Sequence, residues 1–313
     1  MSTSDSLYGV NVIEATDSVR TAPSPWSERL RLATVAALLW AALYYLLDPA
    51  LLARGLDRPV TVLVGAGGVV AACAVLLLLV VGAVVAEALS RHRDGASGLI
   101  AVGLALAAWS WAGGTMDDWL IRANPVVGPG SGRAYWPLVP EYVYWLMVAA
   151  GTLSAGVWWR HRGATGPAAR VALLGKAGPP SDFRNEITAL LINLAVAGTL
   201  MFILTGPRVG HTYRGQVYFA VAAAFALGTI VAGRVTGVRG MAWYLAGPPL
   251  LGIMGVLLAV ARPGLPGAYA NINIIPAWGL VRPLPIQMVS IGTVAIVLSL
   301  RAAARLSSEE SRD

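Results

Sequence analysis

Three carboxylates stand close together in a chain that holds few. Asp117 and Asp118 end the segment Gly113-Gly114-Thr115-Met116-Asp117-Asp118, and Glu141 opens Pro140-Glu141-Tyr142-Val143-Tyr144-Trp145. Trp109, Trp111, Trp119, Trp136, Tyr142, Tyr144 and Trp145 surround them in sequence. A carboxylic acid in an apolar aromatic pocket has a raised pKa and can donate its proton to a substrate. Aromatic faces stabilise a cation that develops beside them. The pairing suits acid-initiated chemistry on an apolar, lipid-like substrate. Asp117 or Asp118 would be the proton donor, Glu141 a second acid or base, and Trp109, Trp111, Trp119, Tyr142, Tyr144 and Trp145 the cavity wall. The plainer alternative leaves Asp117 and Asp118 solvated at an interface, paired with Arg122.

Other reactive groups are sparse. Glu87 has Arg91 four residues on, the spacing of an ion pair along one helix face. His92, His161 and His211 have no ligand spacing, and no HExxH, Ser-His-Asp order or Walker motif is present. The sequence therefore implies no metal and no cofactor. His211 lies between Arg208 and Arg214, a cluster able to grip an anion or a polar headgroup. Gly128-Pro129-Gly130-Ser131-Gly132 lacks the preceding strand and following Lys of a phosphate loop, and reads as a turn. Cys73, the single cysteine, falls inside an apolar run and reads as a small buried core residue.

The elements that must position these groups are long apolar runs. Hydrophobic residues make up 57% of the 313 and charged residues only 12%, against about 25% charged in an average soluble domain. Spans of roughly 20 apolar residues cross a bilayer, and eight candidates fall near 30–50, 59–87, 96–118, 138–159, 187–206, 215–233, 240–261 and 284–303. The expected fold is an all-α, polytopic transmembrane bundle of about eight helices. It would follow a disordered tail over 1–28, form one domain over 29–305 and end in a short tail over 306–313. Residues 160–186, rich in Gly, Pro and Arg, read as a linker between two groups of four helices. Two further connections, 119–137 and 262–285, carry Gly, Pro, Asn and Trp and read as interfacial loops or lids pinned by Trp119, Tyr135, Trp136 and Trp278. Small residues at packing spacing, Gly252 with Gly255 and Gly67 with Ala71, let helices approach closely. Ser181 or Asp182 would cap the helix after the linker.

The net charge of +7 would suggest nucleic acid in a soluble protein. Here the positive loops are better read as topology signals facing anionic headgroups, with the lipid bilayer as partner and no nucleic acid. With the N-terminus inside, 15 Lys and Arg fall on the cytoplasmic side and 8 on the other. Both termini are then cytoplasmic, and Asp117, Asp118 and Glu141 face the extracytoplasmic side. The preference for Arg over Lys, with much Ala, Gly and Val, points to a high-GC bacterium and its inner (plasma) membrane.

From Asp117 to about Ala261 the layout resembles the membrane-bound terpene cyclases of fungal meroterpenoid and indole-diterpene pathways and their bacterial relatives. Three pieces carry the resemblance: Met116-Asp117-Asp118-Trp119 followed by Asn124-Pro125; Arg214-Gly215-Gln216-Val217-Tyr218 with Leu227-Gly228; and the apolar stretch Pro249–Val260. It implies a small helical bundle, a lyase or isomerase that folds an isoprenoid around an acid, and a substrate contact from Arg214. Two positions depart from the family's pattern. Leu120 stands where a Glu follows the Trp, and Ala261-Arg262 stand where an Asp follows the last apolar stretch. Asp117 or Asp118 would have to supply the proton instead.

Two other classes fit the composition. A small-molecule transporter would show a polar path and an inverted repeat, and the helix centres lack charges. A non-catalytic subunit of a larger membrane complex would use its small-residue faces against partner subunits.

Overall fold

The computed structural model describes residues 25–48, 60–64, 68–90, 96–127, 132–161, 183–205, 213–238, 240–261 and 279–310. Among these residues regular structure is helical throughout, with no strand. The helices are α1 Pro25–Ala41, α2 Gly68–Leu89, α3 Ser97–Ala112, α4 Met116–Val127, α5 Leu138–His161, α6 Phe183–Leu204, α7 Arg214–Thr236, α8 Met241–Leu245, α9 Gly247–Ala261 and α10 Pro285–Glu310. A wider π-helical segment, Ala42–Leu47, continues α1. Inside a bilayer no water can satisfy backbone N–H and C=O groups, so an apolar chain closes them within helices.

Six segments are long and apolar enough to cross a membrane: Trp26–Leu47, Gly68–Leu89, Phe183–Leu204, Arg214–Thr236, Met241–Ala261 and Pro285–Ala304. The pair Ser97–Ala112 and Met116–Ala123 passes the same test together but bends by 56° at the break. Helix α5, with 24 residues, reaches about 36 Å at 1.5 Å per residue, enough for the hydrocarbon core.

Several boundaries differ from the sequence expectation. The second span, expected from 59, is helical only from Gly68, and α10 runs to Glu310, through much of the expected tail 306–313. The third span stops at Ala112 rather than near 118, because Gly113 takes an extended backbone and Thr115 begins a new helix. Much of the expected loop 119–137 is therefore helical, as α4, followed by a single 3-10 turn over Gly132–Tyr135. Helix α1 likewise starts at Pro25, inside the expected tail. The rest of that tail, the linker over 162–182 with Ser181 and Asp182, and Gly67 lie outside the described residues.

Helix α10 runs through the centre, packed against α3, α5, α7 and α9. That position explains its polar residues Gln287, Ser290 and Thr293, all buried, since lipid would not tolerate them. Helix α6 is peripheral and leans mainly on α7. Its one buried polar side chain, Asn193, donates from Nδ2 to Thr229 Oγ1 on α7 at 3.0 Å. Gly228 permits the approach, since a Cβ there would sit 3.0 Å from the Asn193 carbonyl. Gly237 ends α7 at φ +70°, with its N–H on the Gly233 carbonyl, a left-handed stop that favours glycine.

The end of the bundle that carries both described chain ends is tied by one polar network. Glu87, fully buried on α2, accepts from the Gly98 N–H at 2.7 Å and pairs with Arg160 Nε at 3.1 Å. Arg160 Nη2 also donates to the Ser90 carbonyl at 2.7 Å. Ser90 donates to Glu28 and shares a bond with Ser97, which accepts from Arg301. The i,i+4 partner expected for Glu87, Arg91, lies outside the described residues; among the described residues the ion pair of the inward-pointing Glu87 reaches Arg160 on α5. Cys73 is exposed rather than buried, on the outer face of α2.

Gly252 on α9 is the tightest helix contact. A Cβ there would stand 2.1 Å from the Tyr142 ring, and Tyr142 is fully buried. Gly252→Ala is expected to destabilise the bundle by about 1–3 kcal/mol through overpacking. Thermal unfolding in detergent would show it, and an unchanged midpoint would refute the contact.

Candidate functional site

The three sequence-selected carboxylates gather at the opposite end of the bundle, yet they do three different jobs. Asp118 sits at the third position of α4. Its Oδ2 accepts from the Thr115 N–H at 2.5 Å and from the Thr115 hydroxyl at 2.9 Å. This is one arm of a capping box, in which the residue at N3 reaches back to the N-cap N–H. The Gly113-Gly114 break creates the free helix end, and Asp118 closes it. Asp118→Ala is expected to lose about 0.5–2 kcal/mol of stability, measurable as a lowered unfolding midpoint, with any ligand binding by the folded protein intact.

Glu141 is fully buried at the start of α5. Its Oε1 accepts from the Leu63 N–H at 2.6 Å and the Val64 N–H at 3.1 Å, pinning the non-helical stretch 60–64 that leads to α2. Val60, Thr61 and Val62 are buried with it. The other oxygen, Oε2, is buried without a hydrogen-bond partner. The Trp145 indole one turn on approaches this carboxylate, but Nε1 does not reach hydrogen-bond geometry.

Asp117 has different company. Its charge is felt by Tyr135, in the 3-10 turn before α5, and by Arg282, just after the turn Gly279–Val281. Both side chains are buried, Tyr135 at 1% exposure and Arg282 at 2%. Burial pushes the Tyr135 hydroxyl above its usual pKa, and the negative charge of Asp117 adds to the shift. Burial pulls the Arg282 guanidinium below its usual value, while Asp117 opposes the shift by favouring the cation. The two turns converge because both pack on α9. Gly132 lies against Val260, where a Cβ would stand 2.5 Å from the carbonyl oxygen, and Gly255 lies against Leu280.

The expected aromatic wall is dispersed. Trp109 is buried and donates from Nε1 to Asp48 at 3.0 Å. Trp111 is 48% exposed, its ring edge-on to Tyr218 at 4.8 Å and its carbonyl accepting from Arg214 Nη1 at 3.0 Å. Arg214 thus ties α7 to the end of α3. Trp119 donates to the Ala134 carbonyl and Tyr144 to the Ala72 carbonyl. Tyr142 reaches the Pro283 carbonyl at 3.4 Å. Ser110 and Tyr218 share a short hydrogen bond across α3 and α7. These polar tips join one helix to another, which is why the rings scatter instead of facing a common space.

Trp145 alone of the set lines a cavity, together with Leu106, Val148, Thr152, Ser290 and Thr293 among others. Its volume is about 20 Å³, room for about one water molecule and far short of the roughly 300–1,000 Å³ of ordinary ligand pockets. Neither Asp117 nor Asp118 lines it.

The sequence reading gave Tyr135 only an interfacial role and Arg282 only a topological one. A usable signal was present: from Arg262 to Leu300 there is no Asp or Glu, so Arg282 has no acid nearby in the chain. His92, Arg208, His211, Trp278 and the glycines Gly128 and Gly130 lie outside the described residues, as do the side chains of Asn124 and Pro125.

Six long apolar helices in an all-helical bundle define the class, a multi-pass membrane protein. Comparison with protein-family models, curated proteins and solved structures gives no match to any of them.

Proposed function

We propose that this chain is a bacterial inner-membrane enzyme with eight crossings and cytoplasmic termini, acting on an isoprenoid or other lipidic substrate. Asp117 is its acid–base group. The observation that carries the reading is the convergence of Asp117 with two buried polar side chains, Tyr135 and Arg282, at one end of the bundle. A carboxyl that gives its proton to a substrate oxygen becomes a carboxylate, and Tyr135 and Arg282 are the buried polar side chains that accompany it. A proton taken up from water restores the acid.

The small cavity narrows the chemistry. Cyclising a whole polyene requires a space that wraps the chain, and a cavity of about 20 Å³ between the helices is far below that need. The substrate's apolar tail therefore stays in the bilayer and only its polar end reaches Asp117. This departs from the terpene-cyclase pattern and keeps its acid chemistry.

The test uses proteoliposomes containing the purified protein and a total bacterial lipid extract, with products followed by mass spectrometry. Wild-type protein should alter at least one lipid species. Asp117→Asn should reduce that turnover by about 10²-fold or more, the usual contribution of a general acid, while inserting normally. Turnover that survives in the variant, or none by the wild type, overturns the assignment.

A further inference from the structure

Arg282 is the one side chain among the largest buried ones that is charged, and its donors are left over. Nε and Nη2 are both buried and have no hydrogen-bond partner. These two nitrogens share one edge of the guanidinium, so their N–H bonds run parallel. That edge matches two oxygens of a carboxylate or phosphate. The Tyr135 hydroxyl, also buried and unpartnered, belongs to the second turn that packs on α9, and both turns lie within reach of the Asp117 charge.

The neighbours of Arg282 are satisfied among themselves. The Leu284 N–H donates to Gln287 Oε1 at 3.0 Å, and the Pro283 carbonyl accepts from Tyr142. The Arg282 N–H itself closes the turn onto the Gly279 carbonyl. The carboxylates of this end are engaged too: Asp118 caps α4, Glu141 holds Leu63 and Val64, and Asp48 accepts from Trp109. Buried donors without acceptors are rare in folded proteins, and a buried cation without a hydrogen-bonded counter-charge is rarer still.

We propose that the Arg282 Nε/Nη2 edge, with the Tyr135 hydroxyl, is the seat of a phosphate oxyanion carried by a membrane amphiphile. The inference deepens the preceding reading and rests on it for the lipidic nature of the ligand. Two phosphate oxygens take the parallel N–H pair, a third accepts from Tyr135, and the acyl or prenyl tail remains in the bilayer. Asp117 is a negative charge already felt by Arg282, but a neutral headgroup would leave the parallel N–H pair without a charged acceptor, and a lone lysine could not replace the planar edge.

The experiment measures ligand-induced thermal shift of the full chain in a zwitterionic detergent. The probes are dioctanoyl phosphatidate, inorganic phosphate and neutral dioctanoylglycerol. Phosphatidate should raise the midpoint and dioctanoylglycerol should not. An equal shift from inorganic phosphate supports the site and makes the free anion its source. Arg282→Met removes the fork while filling the same space, so it should fold without ligand and bind phosphatidate about ten- to a hundredfold more weakly. Tyr135→Phe, which deletes one hydroxyl, should weaken binding less. No shift with either phosphate probe, or an undiminished shift in both variants, overturns the proposal. Phosphate-dependent binding and lipid turnover, both measured on the wild type, separate the two readings. Binding without lipid turnover by the wild type leaves the oxyanion seat standing and removes the catalytic role, whereas turnover without a phosphate-dependent shift does the reverse.

Discussion

Replacing Arg160 by alanine is expected to be among the most damaging single changes in this chain, at about 3–5 kcal/mol. The carboxylate it pairs with, Glu87, has no exposure to solvent, so removing the cation leaves a buried charge with only the Gly98 N–H to hold it. The Ser90 carbonyl loses its donor in the same step. Glu87→Gln should be milder. The amide still accepts from Gly98, and Arg160, 18% exposed along its side chain, can turn toward headgroups and water. The double change Glu87→Leu with Arg160→Met should recover much of the loss, because a packed apolar pair avoids the desolvation that both charges suffer. Detergent-solubilised thermal unfolding of the four proteins gives the cycle. If Arg160→Ala melts within about 2 °C of wild type, the pair is a surface contact and the network does not hold this end.

That expectation could not have been read from the chain. Spacing along one helix offers Arg91, outside the described residues, as a partner of Glu87, and says nothing of Arg160, whose ion pair with Glu87 spans 73 positions. Sequence periodicity reports which residues share a helix face; it carries no information about which helix lies opposite. The apolar runs were legible for the opposite reason. A stretch such as Gly68–Leu89, with a mean hydropathy of 3.1, has no soluble alternative, and its length alone sets the crossing. The break at Gly113-Gly114 was equally visible, and Thr115-x-x-Asp118 carries the capping spacing openly. Reading Asp117 and Asp118 as one acidic pair hides it, since adjacent residues on a helix point about 100° apart. One reaches back to its own helix start, and the charge of the other is felt by Tyr135 and Arg282.

Aromatic density misled in a related way. Tryptophans and tyrosines near an acid suggest a cavity wall, but each carries a polar tip that in lipid must find an acceptor. Trp109, Trp119, Tyr142 and Tyr144 find them on Asp48 or on backbone carbonyls of other segments. The same residues thus serve as rivets between elements distant in sequence. Tyr135 and Arg282 find none, as do the indoles of Trp40 and Trp145, and of these four only Arg282 carries a charge.

Glu141 gives the second large effect, and it decides whether a buried carboxylate beside an indole is chemistry or construction. Glu141→Ala removes the acceptor for both the Leu63 and the Val64 N–H groups. A hydrogen bond to a charged group contributes about 1.5–3 kcal/mol, so losing two is expected to cost about 3–6 kcal/mol. Stretch 60–64 has no helix of its own to satisfy those donors, so hydrogen exchange at Leu63 and Val64 should rise sharply in whatever protein remains folded. Glu141→Gln keeps an oxygen at Oε1 and should lose far less, about 1 kcal/mol, with protection at Leu63 largely retained. A role in proton transfer predicts equal loss of activity in the two variants, since Gln and Ala are equally unable to give up a proton at this site. Full lipid turnover by Glu141→Gln beside a crippled Glu141→Ala would make Glu141 a clamp. Turnover lost in a well-folded Glu141→Gln would move the acid from Asp117 to Glu141.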